Sequence, residues 1–435
     1  MKDDVAISDA ADVARRVKAI LVGSLGNLVE YYDFYAYSAF SLYFAKAFFP
    51  GDDPVAQNPS TAAIFAIGFF MRPIGGWLFG VIADTRGRKT SLMLSVLLMC
   101  LGSLIVACAP TYATIGVGAP ALLLAARLLQ GLSLGGEYGS SATYLAEMAT
   151  SERRGFYSSF LYVTLIGGQL TALVVLLALQ NVFLTGEQLR AFGWRIPFVI
   201  GAALALFAFV VRRDLDETDA FKQANAAPRH VSGLRALLAY PRQALIVVGL
   251  TMGGTLAFYV YTTYMQKFLK LSVGLTDAQT TWVSAGTLVF AMILQPIYGA
   301  LADRIGRRRL LLGFGVLGTL GTVPLLTTIQ HAGGPWEAFA LIAVAWMIVS
   351  LYTSINAVVK AELFPAVVRA TGVGLPYALA VSIFGGSAEY IALWFKGRGI
   401  ESGFYWYATG VIFCSLLVYF IMPDTRATSR IDRDG

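Results

Sequence analysis

The chain of 435 residues is 57% apolar and only 14% charged, with a mean hydropathy of +0.65. Soluble domains carry nearer a quarter charged residues, so an ordinary water-soluble enzyme is excluded, and the formal charge of +7 reads as membrane topology rather than affinity for nucleic acid. Apolar runs of about 20 residues, the length that crosses a ~30 Å hydrocarbon core, recur throughout, whereas the ~10-residue alternating segments of an outer-membrane barrel do not.

In chain order the runs fall at 18–45, 61–82, 91–110, 119–147, 157–181, 194–212, 243–269, 279–302, 310–330, 337–360, 371–395 and 403–422. They predict an all-α membrane protein with twelve transmembrane helices. A hydrophilic linker, 213–242, separates an N-terminal six-helix bundle, 18–212, from a C-terminal one, 243–422. Tails 1–17 and 423–435 flank them, and their polar stretches 1–14 and 424–435 are expected to be mobile. A polar start that leads straight into a full-length span predicts no cleavable signal peptide. Lys and Arg gather at the N-terminus, in the loops after every second span and in the C-terminal tail, which predicts both termini in the cytoplasm.

Span 1 places Glu30, Asp33 and Tyr37 on one face by their i, i+3, i+7 spacing. Span 2 carries Arg72 one turn from Gly68 and Gly76, where small residues admit a close neighbour. Span 4 lines up Arg127, Gln130, Leu134, Glu137 and Ser141. An ionisable group at a helix centre costs roughly 2.5–3.5 kcal/mol or more, so Asp33, Arg72, Arg127 and Glu137 are expected to serve function rather than packing alone. Glu389, near the outer end of span 11, fits either role. His230 and His331 fall in loops, so any protons must travel on carboxylates. A desolvated carboxyl can hold a proton near neutral pH, and Asp33, Glu30 and Glu137 qualify. Tyr37, Tyr138, Gln169, Tyr261, Tyr264, Gln295, Tyr352, Asn356 and Tyr377 are the polar and aromatic candidates for a cavity, while Lys360 and Glu362 are assigned to a helix-end loop.

The halves repeat. Gly80-x-x-x-Asp84-x-x-Gly87-Arg88 returns as Gly299-x-x-x-Asp303-x-x-Gly306-Arg307, and Val163–Gly168 returns as Val381–Gly386 at nearly the same offset. Glu147 with Arg153–Gly155 is echoed by Glu362 with Arg369 and Gly372. A duplicated unit of this kind is the two-half transporter design, with a solute held between the halves. Asp84/Arg88 and Asp303/Arg307 are expected to form gating latches that stabilise an outward-facing state, with Thr85 in place of Arg304 weakening the first. Cys100, Cys108 and Cys414 are expected to be free, small core residues. No G-x-x-x-x-G-K-[ST] loop is present, so ATP hydrolysis is not expected, nor is any metal or cofactor. Four acids (Glu30, Asp33, Glu137, Glu389) against two arginines (Arg72, Arg127) within the spans suit a cationic or zwitterionic solute at least as well as an anion.

The stretches Gly26–Tyr35, Met71–Gly80, Gly135–Gly139 and Gly193–Phe198 resemble the major facilitator superfamily and, within it, the metabolite:proton symporter group, over about 17–423. The resemblance implies import of 2-oxoglutarate or a similar dicarboxylate with protons by alternating access; citrate, shikimate, proline and betaine are the cargo of other members. It also implies that Asp33 pairs with Arg127 for proton coupling, which leaves Arg72 as the cation for an anionic substrate. The expected partners are a small organic acid, protons and membrane lipids, without nucleic acid, and a monomer suffices. The contrasting class, a receptor that keeps the fold without coupling, calls for a signalling domain that 213–242 is too short to form.

Overall fold

The computed structural model describes residues 2–49, 54–226 and 234–432. Among the described residues there is no strand. The twelve apolar runs lie on α1 (Lys2–Phe48) and α2 (Pro54–Arg86), then α3 (Arg88–Cys108), α4 (Gly118–Met148), α5 (Ser151–Phe183), α6 (Gly193–Arg212), α7 (Pro241–Val273), α8 (Asp277–Ile305), α9 (Arg307–Gln330), α10 (Pro335–Glu362), α11 (Ala366–Gly397) and α12 (Glu401–Ile421). The last ten are each long and apolar enough to cross a membrane.

Both tails carry helical structure among the described residues. The stretch 1–14 is the beginning of α1 from Lys2 onward, because no glycine or proline interrupts the sequence before Gly23 and helix propagation is favourable once begun. The segment after Pro423 docks on the bundle: a short helix, Thr425–Thr428, precedes buried Ser429 and Ile431. Asp432 accepts two hydrogen bonds from Arg154, at 2.7 and 3.0 Å, and these hold its carboxyl below the usual range. The linker carries helices Asp219–Ala226 and Leu234–Leu237. Its Glu217 caps α3 by accepting the backbone N–H groups of Arg88 and Lys89, each at 3.1 Å. His230 lies outside the described residues.

The halves meet where α2 packs on α11 and α5 on α8, related positions of the sequence repeat. Glycine makes both crossings close. A methyl at Gly155 would stand 2.7 Å from the carbonyl oxygen of Gly299, and one at Gly76 would stand 2.9 Å from that of Gly374. The outer surface is apolar, with Phe207, Leu320 and Ile421 exposed, as a lipid-facing surface should be. Cys108 and Cys414 are exposed there, not in the core. In a membrane span, apolar neighbours mark contact with lipid as readily as burial.

Candidate functional site

At the end of the bundle that carries residue 84 and its repeat partner, the halves are fastened twice. Asp84 accepts the backbone N–H groups of Ala370 (3.0 Å) and Thr371 (2.9 Å) at the start of α11. Asp303 does the same for Gly155 and Phe156 of α5, both at 2.8 Å. Each acid thus stands on one half and caps a helix of the other, where orphan N–H groups and the helix dipole favour a carboxylate. Arg88 joins Asp84 (3.4 Å) to Glu147 (3.0 Å), and Arg369 reaches Glu147 at 2.6 Å. Arg307 joins Asp303 (3.1 Å) to Glu362 (3.5 Å), with Arg154 at 3.8 Å. Thr85 stands where the second copy has Arg304. Its hydroxyl turns back to the Val81 carbonyl, and the capping distances at Asp84 lie within 0.2 Å of those at Asp303.

Inside the N-terminal bundle Asp33 and Arg127 are both buried, and side chains link them. Arg127 Nη1 donates to Gln130 Oε1 (2.8 Å), Gln130 Nε2 donates to Ser103 Oγ (3.2 Å), and Ser103 Oγ donates to Asp33 Oδ2. Asp33 Oδ1, packed against Gly201 of α6, has no hydrogen-bond partner among the described residues. Glu30 accepts from Ser133. The Tyr37 ring packs under the Arg127 guanidinium, whose Cζ is 4.3 Å from the ring centre, so it buttresses that network.

Glu137 has a different environment from its expected one as a proton carrier. It forms a fully buried ion pair with Arg212, and Ser95 and Ser141 donate to it as well. Removing one partner of such a pair costs about 3–5 kcal/mol. Glu137→Gln is therefore expected to lower the melting temperature of the purified protein, and adding Arg212→Met should restore most of it. A Glu137→Gln protein that melts like the wild type contradicts this structural role.

Between the halves, Arg72 of α2 is buried. Its Nη1 donates to Tyr259 of α7 at 2.9 Å, and its guanidinium lies 4.0 Å from the ring centre of Phe69 and 4.7 Å from that of Phe34. Nε and Nη2 have no hydrogen-bond partner among the described residues. A π-helical turn, Val260–Tyr264, follows Tyr259; such turns recur at functional sites. Tyr138 of α4 stacks on Tyr377 of α11 with 3.5 Å between ring centres, and Tyr138 also donates to Asn356 of α10.

Lys360 leaves its expected place in the loop. It is completely buried, donating to Asn356 at 2.8 Å and Tyr138 at 3.1 Å, whereas Glu362 does join the latch. Gln169 of α5 is buried with neither amide atom partnered among the described residues, and Tyr261 is buried in the π-helical turn. Tyr264 bonds Glu401 at 3.1 Å and packs on Phe404, away from the central cluster. Gln295 ties α8 to α10 through Ser350 and Thr353, and Tyr352 packs on Phe314 of α9. Gln295 thus lies inside the second bundle. Glu389 pairs with Lys267, a partly exposed contact outside the central cluster. Apart from the groups of the two latches, the buried charges are Arg72, Arg127, Arg212 and Lys360 with Glu30, Asp33 and Glu137. This reverses the acid excess read from the spans. Arg212 escaped notice, and Lys360 was assigned to a loop, because each stands at a helix end, where a basic residue is ordinarily topological.

Two six-helix halves, latched reciprocally at one end and enclosing buried charges, define a multi-pass membrane transporter rather than an enzyme. Residues 19–229 match the family described as Sugar (and other) transporter, and 255–435 match the Major Facilitator Superfamily. The chain is 52% identical to the alpha-ketoglutarate permease of Escherichia coli (strain K12) over 413 residues, 95% of each chain. It is 34% identical to a citrate-proton symporter of Klebsiella pneumoniae, with 92% of this chain and 90% of that one covered. Its fold is similar to that of the proton:xylose symporter XylE bound to 6-bromo-6-deoxy-D-glucose, with a TM-score of 0.81 at 18% identity, covering 97% of this chain and 98% of that one. The chain belongs to the major facilitator superfamily.

Proposed function

We propose that the protein is a proton-coupled symporter that imports 2-oxoglutarate or a similar dicarboxylate by alternating access. It works as a monomer among lipids of a bacterial inner membrane, with both termini and the latches on the cytoplasmic side. The observation that carries this reading is Arg72, a buried guanidinium at the junction of the halves with one edge unpartnered among the described residues. The buried cations suit an anion, and the similarity to the permease narrows the anion to 2-oxoglutarate. Asp33 is the proton site, with Glu30 in reserve, and Gln169, Tyr138, Asn356 and Tyr377 line the substrate path. Competition tests the cargo: succinate and glutarate should displace labelled 2-oxoglutarate from the purified protein, and shikimate and betaine should not. Displacement by betaine alone points to a zwitterion carrier instead.

The latches close the cytoplasmic side, so weakening them should bias the protein toward inward opening. Hydrogen bonds to a charged group contribute about 1.5–3 kcal/mol each, and Asp84→Asn or Asp303→Asn removes that charge from two of them. Each variant is expected to retain substrate binding, to transport several-fold more slowly, and to expose a cysteine placed at Ser158 to a membrane-impermeant thiol reagent. Labelling no faster than in the otherwise unchanged Ser158→Cys protein counts against the latch.

A further inference from the structure

The central interface holds a second buried cation to which the reading above gives no individual role. Lys360 of α10 is 0% exposed, and no carboxylate lies within ion-pair distance of it among the described residues. Glu362, two positions on, faces another direction and is engaged with Arg307 and Arg154. The ammonium rests on neutral groups alone: Asn356 Oδ1, the Tyr138 hydroxyl, and the faces of Tyr377 (4.1 Å) and Tyr138 (4.9 Å). Two of its three N–H donors are thereby used. Aromatic faces offset part of the desolvation of a cation, but a buried charge without a counter-ion is costly, and packing gives no reason to keep one.

Its position relative to Arg72 suggests the reason. Arg72 belongs to the first half and Lys360 to the second. A tyrosine cluster stands between them: Tyr259 bonded to Arg72, Tyr31 beside Tyr377 and Arg72, and Tyr377 stacked on Tyr138 beneath Lys360. A guanidinium edge and an ammonium on facing halves can each take one carboxylate of the same solute. Such a solute couples the halves directly, and its binding energy then differs between separated and closed arrangements, which alternating access requires. A monocarboxylate engages one half only.

We propose that Lys360 binds the second carboxylate of the substrate and selects dicarboxylates over monocarboxylates. The proposal rests on Arg72 holding the first carboxylate. The test is binding of 2-oxoglutarate, glutarate and the monocarboxylate 2-oxobutyrate to purified full-length wild type, Lys360→Met and Lys360→Arg. Loss of one partner from a desolvated charge pair predicts that Lys360→Met weakens both dicarboxylates by at least about tenfold. Binding of 2-oxobutyrate should change less than about twofold, and Lys360→Arg, which keeps the charge but not the shape, should retain more dicarboxylate affinity than Lys360→Met. Should Lys360→Met not fold, Lys360→Gln is read in the same way. Unchanged 2-oxoglutarate binding in the neutral variant overturns the proposal while leaving the Arg72 reading in place. Equal losses for all three ligands, in the Arg variant as in the neutral one, also overturn it and make Lys360 structural. A wild type that binds neither dicarboxylate overturns the transport reading and this proposal together.

Discussion

Asp33→Asn is expected to abolish proton-driven accumulation while substrate binding and counterflow exchange remain measurable. The carboxylate is buried in the N-terminal half, with Oδ2 held by Ser103 and Oδ1 unpartnered among the described residues. Its link to Arg127 runs through Ser103 and Gln130, side chains on α3 and α4. Burial favours the neutral acid, and a nearby guanidinium favours the ionised one. On the function proposed above, a shift of α4 against α1 would change that balance and with it the proton affinity of the two access states, which is the difference that coupling requires. Asparagine copies the neutral acid in shape and can still accept from Ser103. Each coupled proton supplies about 1.4 kcal/mol per pH unit, a tenfold accumulation that the variant should lose entirely. A purely structural Asp33 predicts another pattern, poor folding with residual transport still driven by pH. Transport still driven by pH in well-folded Asp33→Asn protein transfers the proton site to Glu30.

Arg72→Lys is expected to weaken 2-oxoglutarate binding by about ten- to a hundredfold, the equivalent of one charge-assisted bond at about 1.5–3 kcal/mol. The guanidinium is fixed by Tyr259 on Nη1 and by the rings of Phe34 and Phe69. That leaves the Nε–Nη2 edge, two parallel donors suited to both oxygens of one carboxylate. Lysine keeps the charge but offers neither the fork nor a planar group to pack against the rings. If Arg72 served only to hold Tyr259, affinity for 2-oxoglutarate in folded Arg72→Lys protein would be unchanged. Isothermal titration of the detergent-purified variant separates the two.

Helix number, the repeat and the latch acids were legible in the sequence because each leaves a one-dimensional trace. Apolar length gives a span, and Asp84 and Asp303 recur in matched motifs. The capping of α11 by Asp84 and of α5 by Asp303 was anticipated only as a role, since which N–H groups an acid meets depends on how the halves cross. The partners of the buried charges were less legible. The partner of Glu137, a candidate proton carrier in the sequence, was not visible there because Arg212 lies far away in sequence at the end of α6 and counts equally well as a topological charge. Lys360 was hidden in the same way, beside a glutamate that does belong to the latch. Tyr37 and Tyr264 share composition and helix placement with Tyr138 and Tyr377. Only the packing directs the first pair toward Arg127 and Glu401 and the second pair toward the interface.

Proton coupling of an anion is the central claim, and uptake of labelled 2-oxoglutarate into proteoliposomes under imposed gradients tests it most directly. Moving a dianion inward against an inside-negative potential costs about 2 × 2.3 kcal/mol per 100 mV. Two protons make the step electroneutral, and a third lets the potential assist. An inward proton gradient alone should therefore concentrate the substrate, a protonophore should collapse that accumulation, and ATP should have no effect. Concentrative uptake at full rate with neither a pH gradient nor a potential contradicts the account.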